Sequence, residues 1–375
     1  MFLSVGDISF RGRRETNPES LPFRQVQFLF SKYNLVVANL ESPLVTEKAI
    51  PVEGKCTLHG APGWAEVLKE CGVGLVSISN NHLMDYGEEG LQRTLQALDD
   101  AGIVHVGAGM DIKAACAPAF MDIADKTFAF LGRSNVVVSS PCYAGYGKPG
   151  VAWFDEDETI KAIQHGRSQA DYVVLLLHWG IEHYNYPTPL QRTVASKLIS
   201  AGADLILGHH PHVVQGEERI GSGLVSYSSG NFLFDEFFWN YIAADGYERT
   251  SESTLSGKNR EGLMLAVTFD DNGQLNTNPF FSRITDDACV VPDDSAERIR
   301  EYGKLCDGLQ RQGYSILWKL YSLKLEWDLR LKHQYSPMVV MKKIHKLRPR
   351  HFRELAVRLK RSSRISTGKS TNPYE

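Results

Sequence analysis

The chain has 375 residues, of which 43% are hydrophobic and 23% are charged, and its formal net charge is −3. This length and composition indicate a folded protein with a large core, and they exclude a fibrous or disordered chain. Because no run of about eighteen apolar residues occurs and the start lacks the features of a signal peptide, the sequence predicts a cytoplasmic protein that could lie peripherally at a membrane.

Short β-rich runs alternate with helical stretches over residues 1–290, which is the pattern of an α/β fold. An apolar stripe at helical spacing predicts a helix over 189–202, and a turn at 270–273 predicts a hairpin. After residue 290 the pattern is helical, over 295–312 and 314–332. The predicted strands are 2–5, 35–39, 75–79, 104–107, 128–132, 172–178, 205–208, 224–228 and 262–269, and the other predicted helices lie near 63–71, 87–101 and 157–170.

The six cysteines are scattered and form no Cys-x-x-Cys pair. This spacing predicts reduced, mostly buried thiols, and it indicates neither a zinc ribbon nor a disulfide framework.

Charge is distributed unevenly along the chain. Residues 331–375 contain twelve Lys or Arg against two Glu, a balance of +10, which leaves −13 in the first 330 residues. We therefore predict a globular domain over 1–290, a basic helical extension over 291–361 and a disordered tail over 362–375. Residues 331–361 could contact an anionic membrane surface or a polyanion, or they could form a solvated helix without a partner. No motif specific for nucleic acid is present.

Polar groups that can bind metals or transfer protons follow nearly every predicted strand. Because ligands bind at the carboxyl ends of strands in α/β sheets, we expect these groups to converge. Oxygen and imidazole donors suit one or two Mn, Zn or Fe ions, and a two-metal centre is typical of hydrolysis. His82 directly follows Asn81 and is better placed as a general acid than as a ligand. The residues concerned are Asp7, Glu41, Asn81, His82, His178, His210 and His212.

Each of these residues also has a structural interpretation. A histidine-rich turn can simply cap a strand, Asn80 and Asn81 can be turn formers, and Glu182 can be a surface charge.

Six short motifs, taken in order, resemble those of the CapA family of capsule or poly-γ-glutamate biosynthesis proteins, within the calcineurin-like metallophosphoesterase superfamily. The resemblance covers roughly residues 1–290. The motifs are Gly6-Asp7, Asn39-Leu40-Glu41, Asn80-Asn81-His82 with Asp85-Tyr86-Gly87, His178-Trp179-Gly180-Ile181-Glu182, Gly208-His209-His210-Pro211-His212 and Ser229-Gly230-Asn231-Phe232.

The resemblance implies a four-layer αββα sandwich and a dinuclear metal centre. It implies that His82 is the catalytic histidine, and that His209 could replace His210 as a ligand. One departure concerns the first motif, which has Ser9 where the superfamily has a histidine, so that the number of metals stays open. The implied metal ligands are Asp7, Glu41, Asn81, His178, His210 and His212.

The leading interpretation is a metal-dependent hydrolase of phosphoesters in capsule, polysaccharide or poly-γ-glutamate biosynthesis, with a phosphorylated or anionic polymer as substrate. Two alternatives are a metal-dependent amide or γ-glutamyl hydrolase and a non-catalytic, polymer-binding assembly factor. Aromatic residues that flank the motifs are predicted to line the cleft, although they could equally be core residues. These are Trp179, Tyr184, Tyr186 and Phe232, and the predicted substrate contacts are Trp179, Glu182, Tyr184 and Asn231.

Overall fold

The computed structural model describes residues 1–326 apart from 17, 19–21, 47, 54, 137–141, 243–247, 256 and 271. Its helices are α1 (Gln27–Phe30), α2 (Trp64–Glu70), α3 (Gly87–Asp100), α4 (Ile112–Cys116), α5 (Glu156–Arg167), α6 (Pro189–Ser200), α7 (Ala296–Leu309) and α8 (Tyr314–Glu326). Its strands are β1 (Phe2–Ile8), β2 (Leu35–Leu40), β3 (Val73–Ser77), β4 (Val104–Val106), β5 (Ala108–Gly109), β6 (Ala119–Ile123), β7 (Lys126–Ser134), β8 (Gly150–Val151), β9 (Tyr172–His178), β10 (Leu205–His209), β11 (Glu217–Ile220), β12 (Gly223–Ser226), β13 (Asn231–Leu233), β14 (Phe237–Ile242), β15 (Glu248–Ser253), β16 (Glu261–Phe269), β17 (Leu275–Ile284) and β18 (Val290–Pro292).

Two large sheets form the centre of the fold. The first has the strand order β18-β17-β16-β1-β2-β3-β4, and β13 also pairs with β1. The second has the order β11-β12-β10-β9-β7-β6. Strands β1 to β4 run parallel in the first sheet, and β7, β9, β10 and β12 run parallel in the second. The carboxyl ends of these parallel strands carry most of the polar motifs.

Apolar side chains on both faces of these strands explain the layered arrangement. In β2, Leu35 and Val37 belong to the core between the sheets, whereas Val36 and Ala38 belong to the core under the outer helices. Such strands are apolar throughout because helices cover parallel sheets. Helices α2 and α3 pack on the first sheet, and α5 and α6 pack on the second. The described chain is therefore an αββα sandwich, which confirms the predicted fold class.

The predicted strands and helices of the sandwich are present, and their ends differ from the predicted ones by at most three residues. The hairpin of β16 and β17 turns at 270–273 as predicted. Several strands were not predicted, among them β6, β11, β13 and β15. These strands are short or rich in polar residues, and β15 contains no apolar residue at all. They therefore lack the apolar pattern from which strands are predicted, and they form by pairing with neighbouring strands.

The segment after residue 290 packs on the sandwich through α7 and α8. The Tyr302 ring lies 5.3 Å from Phe281, and Trp318 Nε1 donates a hydrogen bond to the carbonyl of Tyr186. The boundary near 290 stays a prediction. Residues 331–361 and 362–375, for which we predicted a basic helical part and a disordered tail, lie outside the described residues. Within the described part, no helix has the length and apolarity needed to cross a membrane.

Candidate metal centre

Side chains from both sheets meet at one edge of the sandwich. Asp7 and Glu41 come from the ends of β1 and β2, whereas His178 and His209 end β9 and β10. Asp7 Oδ1 lies 2.9 Å from His209 Nδ1, and Glu41 Oε1 lies 3.3 Å from His178 Nε2. All four residues are at most 1% exposed. The parallel strands thus bring acidic and imidazole groups together in a buried place.

Asp7 is held by hydrogen bonds from several directions. Asn39 Nδ2 and His209 Nδ1 donate to Oδ1 at 2.9 Å each, and the His210 amide donates to Oδ2 at 3.2 Å. Burial alone would raise the pKa of Asp7, but the hydrogen bond and the charge of His209 outweigh it and leave the pKa lowered. Asp7 is therefore an ionised carboxylate with a fixed orientation.

Glu41 is different, because neither of its carboxylate oxygens receives a hydrogen bond from the described residues. Burial, followed by repulsion from Asp7, raises its pKa well above the ordinary value. A buried carboxylate without hydrogen bonds is unfavourable unless a positive charge compensates it. This carboxylate therefore fits a cation bound between Glu41 and its neighbours.

Two of the buried histidines, His178 and His210, supply neutral imidazoles. Burial is the main reason why the pKa of His178 is lowered well below its usual range and that of His210 is lowered to about 4. His178 Nε2 lies 2.8 Å from Asn81 Oδ1, and the rings of His178 and His210 are 4.8 Å apart. His210 Nδ1 and His209 Nε2 are buried and have no hydrogen-bond partner among the described residues. The neutral His210 ring can therefore donate to a metal through Nδ1.

Two groups of residues have the geometry of ligand sets. Ligand atoms of Asp7, Glu41 and His212 lie within 4.8 Å of one another, and so do those of Glu182, His210 and His212. Because His212 belongs to both groups, the two sets adjoin. These residues fit one or two divalent ions, and the donors are oxygen and imidazole nitrogen, as in sites for Mn, Zn or Fe.

In the turn after β10, His210 and His212 have an uncommon backbone conformation. The φ angles of His210 (96°) and His212 (55°) are positive, on either side of Pro211. Residues other than glycine seldom adopt such angles, and they do so mostly at functional sites. His212 Nδ1 donates to Asn231 Oδ1 at 2.9 Å, which leaves Nε2 at 4.0 Å from Glu41 Oε2. Asn231 thus orients His212, while its predicted contact with substrate stays a prediction.

His82 lies beside this group and is held by a different set of contacts. Its Nδ1 is 2.8 Å from Asp85 Oδ2, and Asp85 is fully buried. Lys55 Nζ contacts the other oxygen of Asp85 and also donates to the Asn81 carbonyl at 2.6 Å. The ring is therefore oriented with Nε2 as the nitrogen that can face a substrate. The role of His82 as general acid stays a prediction.

Two residues of this network were not predicted from the sequence. Asn39 Nδ2 donates to Asp7 and lies 3.4 Å from His178 Nδ1, so that it links the two sheets. The only feature of the sequence that pointed to Asn39 was its position in the Asn39-Leu40-Glu41 motif. Lys55 lies in a loop without any pattern that would have indicated it. Asn80 is a turn former, since its Oδ1 accepts hydrogen bonds from the amides of His82 and Leu83.

The aromatic residues predicted to line the cleft beside the metals lie in different surroundings, and for Trp179 the prediction stays a prediction. Trp179 stacks on Tyr227 and lines a cavity of about 670 Å³ together with Ile181 and Gln191. The prediction for Phe232 is wrong, because its ring is buried in the core against Phe23 and Phe30.

Tyr184 and Tyr186 pack against α8. Their rings lie 6.0 and 5.3 Å from the ring of Tyr321. Tyr184 is 6% exposed, and its predicted contact with substrate stays a prediction. Glu182 is exposed, and its carboxylate lies within 4.8 Å of ring nitrogens of His210 and His212. Its predicted contact with substrate stays a prediction. Ser9 pairs with Ser42 through their hydroxyl groups, 2.9 Å apart.

Comparison with known proteins assigns the family. Residues 2–236 match the family model described as bacterial capsule synthesis protein PGA_cap. The chain belongs to the PGA_cap family. The PGA biosynthesis protein CapA of Bacillus subtilis is 33% identical over 312 residues, which are 82% of this chain and 75% of that protein. The capsule biosynthesis protein CapA of Bacillus anthracis is 28% identical over 323 residues, 84% of this chain and 73% of that protein. The resemblance to the CapA family that was inferred from the motifs is confirmed.

A solved structure with a similar fold is that of a novel phosphatase from Mycoplasma pneumoniae. It is 12% identical to the PGA_cap chain, and the match covers 80% of this chain and 95% of that one at a TM-score of 0.48. The αββα arrangement of this chain follows from its two sheets and from the helices that cover them.

Proposed function

We propose that this PGA_cap protein is a metal-dependent hydrolase of phosphoester bonds that acts on a phosphorylated or anionic polymer during capsule or poly-γ-glutamate biosynthesis. The observation that carries the proposal is Glu41, a buried carboxylate without a hydrogen bond, which lies beside an ionised aspartate and neutral imidazoles. Such a set is unfavourable by itself and becomes favourable around divalent cations.

The residues that would hold the ions are those of the two ligand sets, with Asn81 and His178 beside them. Bound divalent ions would supply Lewis acidity toward a phosphoryl oxygen and would make a water molecule more acidic. Asp7 and Glu41 would neutralise part of the positive charge. Asn39 would keep the Asp7 carboxylate in place through its hydrogen bond.

His82 would donate its proton to the oxygen that leaves. Asp85 fixes the ring through Nδ1, and Lys55 in turn holds Asp85. A general acid needs this kind of fixed orientation to act within hydrogen-bond distance of the leaving atom. The cavity beside Trp179 adjoins the segment that runs from His178 to Glu182, and it could accommodate part of a substrate.

The test is an assay of the purified protein, loaded with Mn, Zn or Fe, on a phosphomonoester, a phosphodiester and a γ-glutamyl amide. We expect turnover of a phosphoester, and a loss of about 10²-fold to 10⁴-fold in the His82→Ala variant without loss of bound metal. His165→Ala is the matched control, because His165 lies in the last turn of α5, away from the predicted strand-end motifs, and we expect full activity.

The other outcomes discriminate between the alternatives. If only the γ-glutamyl amide were cleaved, the protein would be an amide or γ-glutamyl hydrolase and not a phosphoesterase. If metal binds and an anionic polymer binds but no substrate is cleaved, the protein is an assembly factor and the hydrolase proposal is wrong.

A further inference from the structure

The cavity of about 670 Å³ beside Trp179 is lined by residues from the amino ends of α5 and α6. It borders the strand that carries His178, because Trp179 and Gly180 form part of its wall and the Asn135 amide, also of the wall, donates to the His178 carbonyl at 3.2 Å. In α/β folds, small molecules bind in clefts of this size at the carboxyl ends of parallel strands. The apolar residues of the wall are Phe154, Trp179, Ile181, Leu190 and Val194.

Gln191 brings an unpaired hydrogen-bond donor to this wall. It is 6% exposed, and its Oε1 accepts from the Thr188 amide at 2.8 Å, which fixes the orientation of the side-chain amide. Its Nε2 lies at the Gly180 side of the wall, since a Cβ on Gly180 would come within 2.9 Å of it. This Nε2 has no hydrogen-bond partner among the described residues. A buried donor without a partner is unfavourable, so the cavity fits a ligand with an acceptor oxygen.

The charges around the cavity disfavour an anion. Asp155, Glu156 and Asp157 line it, and the one base among its described lining residues is Lys197, which is paired with Glu156 at 2.5 Å. The remaining carboxylates would repel an anionic ligand, whereas hydroxyl groups could donate hydrogen bonds to them. The ligand that fits is therefore uncharged, and it has an acceptor for Gln191, several donors for the carboxylates and an apolar part.

An acetamido sugar has all of these features. Its carbonyl accepts a hydrogen bond, its hydroxyl groups donate, and its methyl group and the C–H face of its ring are apolar. A γ-glutamyl unit has a similar amide, but every unit carries a carboxylate that the acidic wall would repel. An uncharged peptide avoids this repulsion, yet it offers only one N–H donor for each unit.

We infer that this cavity binds an uncharged acetamido sugar unit, with Gln191 Nε2 donating to the acetamido carbonyl. As a substrate subsite it rests on the proposed function, and it favours a phosphorylated sugar polymer over poly-γ-glutamate. Binding is measured without turnover, so the two proposals fail separately. A chain that binds the sugar and cleaves no substrate contradicts the hydrolase alone, and an active chain that binds no sugar contradicts this inference alone.

The test is a ligand-observed NMR titration of the full chain with N-acetylglucosamine, γ-glutamylglutamate and N-acetylalanine methylamide. We expect N-acetylglucosamine to bind saturably with a dissociation constant on the order of 1 mM, as for a ligand of about fifteen atoms. The charged dipeptide and the uncharged peptide should each bind at least about tenfold more weakly. The inference is overturned if the sugar does not bind saturably, or if either of the other probes binds as tightly as the sugar.

The Gln191→Glu variant isolates the donor. A capping box uses Glu or Gln alike, so a carboxylate oxygen can still accept from the Thr188 amide, and we expect the chain to fold. Sugar binding should weaken about tenfold or more, because the donor is lost. Gln164→Glu is the matched control, since Gln164 is exposed on α5 outside the cavity wall, and it should bind like the unmodified chain. Full binding by a folded Gln191→Glu chain would overturn the inference.

A second variant tests the charges without changing a buried residue. Asp155→Asn/Asp157→Asn alters two exposed side chains, and Asn caps a helix as well as Asp does. We expect this variant to bind γ-glutamylglutamate about threefold to tenfold more tightly than the unmodified chain does at low salt, with unchanged binding of the sugar. If the dipeptide gains no affinity, the carboxylates do not set the selectivity and the inference is wrong.

Discussion

At the scale of single residues, Glu41 is the side chain whose surroundings most clearly fit a bound cation. Asp7 is matched by hydrogen bonds within the chain, whereas Glu41 has close imidazoles and no hydrogen bond from the described residues. A carboxylate in this position destabilises the metal-free fold, and under the proposed function it would stabilise a metal-bound one. Stability and metal affinity should therefore respond in opposite directions to removal of its charge.

The Glu41→Gln variant tests this opposition. We expect the metal-free variant to unfold at a higher temperature than the metal-free parent, because burial and Asp7 no longer oppose a charge. We expect its affinity for Mn or Zn to fall about a hundredfold or more, since the loss of an outer partner of a metal ligand already costs about 10-fold to 100-fold. Thermal unfolding with and without chelator and calorimetric metal titration measure the two effects. If the metal-free variant unfolded at a lower temperature than the metal-free parent, the Glu41 carboxylate would stabilise the fold itself, and this prediction would be wrong.

The thiols give a second prediction at this scale. Cys71 and Cys142 are buried and free, and burial raises the pKa of each thiol from its ordinary value of 9.0 to about 11. At pH 8 the thiolate fraction should be about a hundredfold smaller than that of an unperturbed thiol, and the thiolate is the reactive form. We expect alkylation of both cysteines to be slow in the native chain and fast in denaturant. Native labelling at the rate of a free peptide would contradict their burial.

At the scale of elements, the contact between β11 and α7 contains a half-buried acid. Glu217 lies on β11, its amide donates to Cys306 Sγ of α7, and its Oε2 accepts from Thr277 at 2.9 Å. Burial is the main reason why its pKa is raised above the ordinary 4.5. The fold therefore prefers the protonated form, and this contribution to stability is lost as the pH rises from 4.5 through the raised pKa.

The Glu217→Gln variant removes that charge and keeps an oxygen acceptor. We expect it to unfold at a higher temperature than the parent at pH 7. The difference should shrink as the pH falls toward 4.5, because Glu217 takes up its proton at a higher pH in the fold than in the unfolded chain. Thermal unfolding at both pH values measures the effect. The neighbouring Glu218→Gln should instead lower stability, because Glu218 is paired with Arg192 and accepts from Tyr227. A pH-independent difference for Glu217→Gln would show that its charge is not what matters.

At the scale of the whole molecule, α7 and α8 cover the sandwich. Besides the contacts of Tyr302 and Trp318, the Tyr314 hydroxyl donates to the carbonyl of Pro187, and the Arg192 guanidinium lies 4.4 Å from the centre of the Tyr314 ring. Residues 184–187 lead on from Glu182, so these helices support the segment that carries Glu182.

Two truncations test this integration. A chain that ends at residue 330 keeps the described contacts, and we expect it to retain the unfolding temperature and the metal affinity of the full chain. A chain that ends at residue 290 exposes Phe281, Tyr184 and Tyr186, and we expect an unfolding temperature at least about 10 °C lower. If the shorter chain were equally stable, the domain predicted over 1–290 would be independent of the helices.

The sequence by itself determined the layers of the fold and the strand ends that carry the candidate metal centre. Continuous apolar runs such as 172–178 predict strands that are buried on both faces, and polar residues directly after them lie by necessity at the carboxyl edge. That reasoning reaches Asp7, Glu41 and His178, which the structure brings together, although their roles as ligands stay predictions. Periodicity is a local signal, and it is informative wherever burial repeats along one segment.

Only the tertiary structure decided which distant side chains complete the contacts. Lys55 meets Asp85 from a loop 30 residues away, Asn39 links strands of two sheets, and Tyr184 packs on a helix that begins 130 residues later. The same residue types would suit a solvent-exposed loop or a ligand cleft equally well. Their environment depends on chain segments that no local pattern relates to them, because packing and desolvation act between neighbours in space.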